Sequence, residues 1–132
     1  MDNQHEFRIG NYVDYFHETV DRWVNWTQID ATKLQAIGLG NQASGIELKY
    51  FILEQFGFRK NYGWTGNEFY CLMTPYIEFQ FDKDGLGISI ENQYLTLSHI
   101  KYVHQLQNLY YSLTGTELEP PPRGGRKSLI KI

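Results

Sequence analysis

The sequence predicts an α+β fold, an antiparallel β-sheet of hairpins and a meander packed by two helices, at about 46–56 and 98–114. Three observations carry that reading. Apolar and polar residues alternate with period two around Ile77, Phe79 and Phe81, as a sheet with one wet face requires. An apolar stripe at helical spacing, Tyr102, Val103, Leu106, Leu109, Tyr110 and Leu113, ends at Gly115. Two runs rich in β-branched and aromatic residues, Arg8 to Phe16 and Arg22 to Ile29, flank the polar break His17-Glu18-Thr19.

Those two runs form an N-terminal hairpin. Trp23 and Trp26 stand three apart, so strict alternation places a Trp on each face. A short strand is expected at Leu34–Leu39, then a loop from Gly38 to Gly45 in which Ser44 caps the first helix and Gly57 stops it. The meander follows, with strands at 68–74, 76–82, 86–90 and 94–97, Pro75 between the first two and Lys83-Asp84-Gly85 turning into the third. Ser98 opens the second helix, whose stripe packs across the sheet in two layers.

With 132 residues and 42% hydrophobic content, residues 1–118 are expected to form a single α+β domain, far from the composition of a disordered chain. Residues 119–132, beginning Glu119-Pro120-Pro121-Pro122 and continuing through Arg123, Arg126 and Lys127, read as a flexible basic Pro/Gly/Arg tail. Residues 1–118 carry eight Lys and Arg against fourteen Asp and Glu, which disfavours duplex nucleic acid as a default partner. No apolar run approaches the roughly 20 residues of a membrane span, and Met1-Asp2-Asn3-Gln4-His5-Glu6 is unlike a signal peptide, so a cytoplasmic location and no membrane partner are expected.

No catalytic motif emerges. Cys71 lies mid-strand, where a structural thiol is the simpler reading. His99 and His104 are five apart and do not share a helix face, so no metal ligand set and no cofactor is expected. Asp82-Lys83-Asp84-Gly85 starts like a calcium loop but lacks the later acidic ligands. Gly38-Leu39-Gly40 is a connecting loop unless its amides form an anion nest at the start of the first helix.

Aromatic residues favour binding instead. Tyr12, Tyr15, Phe16, Trp23 and Trp26 crowd one hairpin, and Tyr62, Trp64 and Tyr70 surround Gly63 and Gly66; core filling or an oligomer interface accounts for single rings more readily than for the cluster. The candidate ligand-binding residues are Tyr12, Arg22, Trp23, Trp26, Arg59, Lys60 and Trp64, with the cations placed to meet phosphate if they converge.

Arg8-Ile9-Gly10-Asn11-Tyr12-Val13, Leu53-Glu54-Gln55-Phe56-Gly57-Phe58 and, above all, the run from His99-Ile100-Lys101-Tyr102-Val103-His104 through Tyr110-Tyr111-Ser112-Leu113-Thr114-Gly115 carry a resemblance. In these segments the chain resembles a family of small uncharacterised proteins from Bacteroidetes phages, prophages and mobile elements. The resemblance spans about three-quarters of the chain, and it implies a genomic context rather than a chemistry. In that context three functions are open. A non-catalytic phage accessory protein would antagonise host defence by sequestering a small, phosphorylated, nucleotide-derived signal. A protein-binding inhibitor would cover a basic surface of a host defence complex, with Asp14, Glu18, Asp21 and Asp30 as its acidic face. A structural phage component would have an oligomer interface and no ligand. A homo-oligomer is expected, the Tyr-rich final helix being one face that could pair isologously.

Overall fold

A computed structural model describes residues 7–119, so the basic tail beyond Glu119 lies outside the described residues, as does His5. The α+β class is as expected, with two antiparallel sheets and three helices among the described residues. These fall into two compact units, one of 7–47 with Tyr102–Glu117, the other of Leu48–Lys101 with 118–119.

In the first unit, β1 (Tyr12–His17) pairs antiparallel with β2 (Arg22–Gln28), as the hairpin reading required, and on its other side with the two-residue β3 (Ala43–Ser44). Ser44 is therefore a strand residue opposite Asp14, not a helix cap. The strand expected at Leu34–Leu39 is instead a helix, α1 (Ala31–Gly38). Its cause is local: the Asp30 carboxylate accepts the Lys33 amide at 2.8 Å and so satisfies one orphan donor of the first turn. Leu34 and Ile37, three apart, then turn the same way toward a core of Phe7, Val13, Tyr15, Ile29 and Ile37.

The last helix, α3 (Val103–Thr114), starts later than Ser98 because residues before it are otherwise engaged. The Ile100 amide donates to the Leu97 carbonyl, Tyr102 bridges to Glu47, and the Val103 amide donates to Ile46. Gly115, at φ +76°, ends the helix as expected. Within its own unit the helix packs against β1, and polar groups fix the contact. Buried Gln107 accepts the Tyr12 amide at 2.9 Å, buried Asn11 donates to Asn108 at 2.9 Å, and Arg8 pairs with Glu117 at 2.8 Å. His104, also buried, lies edge-on to Phe7 at 4.5 Å and stacks on Tyr102. A Cβ at Gly45 would come within 2.9 Å of the His104 and Tyr102 rings, so glycine is required there.

In the second unit the helix expected at 46–56 shrinks to α2 (Tyr50–Gln55), because Ile46 and Glu47 are held in extended pairing by the start of α3's segment. Gly57 leaves the helix at φ +97°. A five-stranded meander follows in chain order: β4 (Arg59–Tyr62), β5 (Glu68–Met73), β6 (Ile77–Asp82), β7 (Gly85–Ile90) and β8 (Gln93–Leu97). Register builds continuous apolar rows on one face, Leu72, Phe79, Ile88, Leu95 and Tyr70, Phe81, Leu86, Leu97. Tyr50 of α2 stacks on Tyr70 at 4.7 Å and meets Phe81 edge-on. The opposite face carries Glu78, Gln80, Ser89 and Thr96. Fully burying a ring such as Phe79 stabilises by roughly 1.5–3 kcal/mol, so these rows dominate the unit. No helix among the described residues is long and apolar enough to cross a membrane.

Candidate functional site

The β1–β2 hairpin does not alternate strictly, and the departure builds its most distinctive surface. Val13 pairs with Thr27 and Tyr15 with Val24, so Asn25 and Trp26 together face Asp14 in a β-bulge. Trp26 adopts φ +54°, a left-handed backbone that costs a bulky residue about 1–3 kcal/mol. Two bonds hold it: the Asp14 carboxylate accepts the Trp26 amide at 3.4 Å, and the Thr27 hydroxyl donates to the Val24 carbonyl at 3.0 Å.

The consequence is a change of parity. Trp23 is registered opposite Phe16, on the face of Tyr12, Asp14 and Phe16; beyond the bulge Trp26 comes to the same face, its ring 5.8 Å from Tyr12. Phe16 and Trp23 meet edge-on at 5.5 Å. The expectation of one Trp on each face is thus corrected: four rings share the face away from Val13 and Tyr15, with Asp14 between the two pairs. Trp23 is 45% exposed. Arg22 is registered opposite His17, on the other face, so the structure does not bring it to the Trp rings. Glu18 and Asp21 are exposed at the hairpin tip. Asp30 is engaged at its helix cap, with Lys33 Nζ at 3.3 Å from its second oxygen.

Arg59, Lys60 and Trp64 belong to the other unit, on the β4–β5 hairpin. Arg59 faces Cys71 across the ladder, and both line a hollow of about 420 Å³ with Lys60, Asn61 and Met73. Lys60 is 3.8 Å from Glu68, whose carboxylate raises the lysine pKa above its ordinary value. Trp64 is fully exposed on a loop closed by the Gly63 amide to the Asn67 carbonyl at 2.8 Å and the Thr65 hydroxyl to Asn67 at 2.6 Å.

The glycine loop after α1 makes no anion nest. The amides of Leu39, Gly40 and Asn41 donate to Gln35, Ile37 and Ala36 carbonyls, closing the C-terminus of that helix. Asp82 and Gly85 pair across a two-residue turn, the Asp84 amide donating to Asp82, which is hairpin chemistry rather than a calcium loop.

Asp14 at the centre of the aromatic face is the residue whose role sequence reasoning underrated. The bulge that puts it there has no local signature beyond a Trp where alternation expects a switch of face. No family model, curated protein or solved structure matches the chain.

Proposed function

We propose that this chain is a non-catalytic binding protein that grips a basic protein surface with the aromatic face of its β1–β2 hairpin. The observation that supports this reading is the gathering of Tyr12, Phe16, Trp23 and Trp26 around Asp14, with Arg22 on the other face. Aromatic faces attract Arg and Lys through the ring quadrupole, a central carboxylate adds to that attraction, and both repel phosphate. Exposed Trp and Tyr provide large contact area at low entropy cost, and the Glu18 and Asp21 tip extends the negative field for steering. In the phage or mobile-element context that the resemblance implies, the partner is a basic, nucleic-acid-binding surface of a host defence complex, inside the infected cell.

Affinity capture from host lysate tests the reading with four baits, the natural chain and three variants. A basic protein retained by the natural chain, lost with Trp23→Ala and Asp14→Lys but kept with Trp64→Ala, is the expected result. Capture indifferent to both hairpin changes would refute it. Trp23→Ala should lower the melting temperature less than truncation of a buried ring does, since Trp23 is 45% exposed.

A second reading, sequestration of a small phosphorylated, nucleotide-derived signal, is favoured by one observation: the hollow bordered by Arg59 and Lys60. Thermal-shift measurements against linear and cyclic nucleotides test it, because a ligand binding only the folded state raises the melting temperature. A shift abolished by Arg59→Ala supports this reading; no shift with any nucleotide removes it.

A further inference from the structure

The meander has two open edges, and they are unlike. β4 carries Arg59 and Lys60, the kind of charge that keeps a sheet edge from pairing with another chain. β8, Gln93-Tyr94-Leu95-Thr96-Leu97, has no charged residue and no proline; Tyr94 is 54% and Leu95 56% exposed. Its preceding turn is the two-residue Glu91-Asn92, with φ +49° and +69°, the left-handed pair of a tight hairpin. In such a hairpin the closing pair, Ile90 with Gln93, is hydrogen-bonded, so bonded pairs recur at Ile88 with Leu95 and Leu86 with Leu97. The amides and carbonyls of Tyr94 and Thr96 therefore point out of the sheet at its open edge.

We propose that β8 is the interface of a homodimer, in which two copies join edge to edge and antiparallel about a two-fold axis at Leu95. The strand is self-complementary in that register. Tyr94 of one copy and Thr96 of the other exchange both backbone bonds, and the reciprocal pair does the same, giving four. Leu95 meets the partner's Leu95 as a close non-bonded pair, about 4.5 Å between Cα atoms. Each exposed Leu95 lies at the end of the apolar row Leu72, Phe79, Ile88, which the pairing continues into the second copy. Charge is compatible with the antiparallel sense: Glu91 stands at one end of the edge and Lys101 beyond the other, so in this register each Glu91 approaches the partner segment that leads to Lys101. Tyr94 does not obstruct, because its ring lies back over Gly87, where any side chain would collide with its hydroxyl.

The interface is independent of the hairpin surface and is tested by mass and by amide exchange on the full chain. Sedimentation should give about twice 15.5 kDa over a concentration series, with the Tyr94 and Thr96 amides losing protection on dilution. Thr96→Pro removes one outward donor without cutting a ladder bond of its own sheet, and Leu95→Lys places a cation on the axis; both should sediment as single chains with unchanged circular dichroism. Should either fail to fold, Cys71→Ser with Leu95→Cys decides: treated with oxidised glutathione it should form a covalent dimer, since residue 95 faces itself only in this register. A natural chain that remains single at the highest concentration overturns the proposal. So does a dimer that survives both edge variants, or Tyr94 and Thr96 amides that gain protection only when an unrelated polypeptide is added.

Discussion

The two compact units solve the same problem, covering one face of an antiparallel sheet, by different means. The five-stranded meander does it with rows of apolar side chains supplied by neighbouring strands, each joined to the next by a short turn. The three-stranded unit brings a helix from residues 103–114 back to β1 near the start of the chain and fixes it with buried amides. Gln107, Asn11 and His104 are all fully buried there. Apolar rows contribute by area and tolerate small shifts. Amide bonds contribute little net, yet they are costly to leave unmade, so they define one arrangement of helix and strand.

Truncations in each unit show where its stability resides. Phe79→Ala, in the middle of the apolar row, should cost roughly 3–5 kcal/mol by denaturant titration. Leu106→Ala, at a fully buried apolar residue of α3, should cost roughly 2–5 kcal/mol; an unchanged midpoint would contradict its placement. Gln107→Ala leaves the Tyr12 amide without its acceptor and should cost about 1–3 kcal/mol. Were this change to exceed Phe79→Ala, the division between apolar rows and polar stitching would fail.

Two smaller effects concern pH. Burial of Tyr94 over Gly87, aided by the carboxylates of Asp82, Asp84 and Glu78, raises its phenol above the ordinary value. Its neutral form is then favoured by the fold. Stability contributed there is intact below the unfolded value, about 10, and is lost as pH rises through the folded one. Tyr94→Phe should flatten the alkaline fall in melting temperature. Asp30 shifts the opposite way, lowered chiefly by the Lys33 amide. Its contribution is present above the ordinary aspartate value, about 3.9, and lost as pH falls through the lowered one. The melting temperatures of Asp30→Ala and the natural chain should therefore converge in acid.

Whereas β4 was not expected, the class, the hairpin, the meander from β5 onward and the stop at Gly115 were legible in the residues. Each follows from contacts within a few positions: alternation, turn chemistry and a left-handed glycine. α1 was missed: the apolar run Leu34–Leu39 pointed to a strand, and the cap that Asp30 provides went unread. The start of α3 could not be read, because Tyr102 is drawn into a bridge with Glu47, more than fifty positions away.

For the candidate surface, the sequence alone determined which rings and charges the hairpin holds. Only the tertiary structure decided their sides. One inserted residue at the bulge reverses the parity of all that follows, so it gathers both Trp rings beside Asp14 and leaves Arg22 behind. A side chain's direction in a sheet depends on the count of residues along the pairing, and the partner strand sets that count.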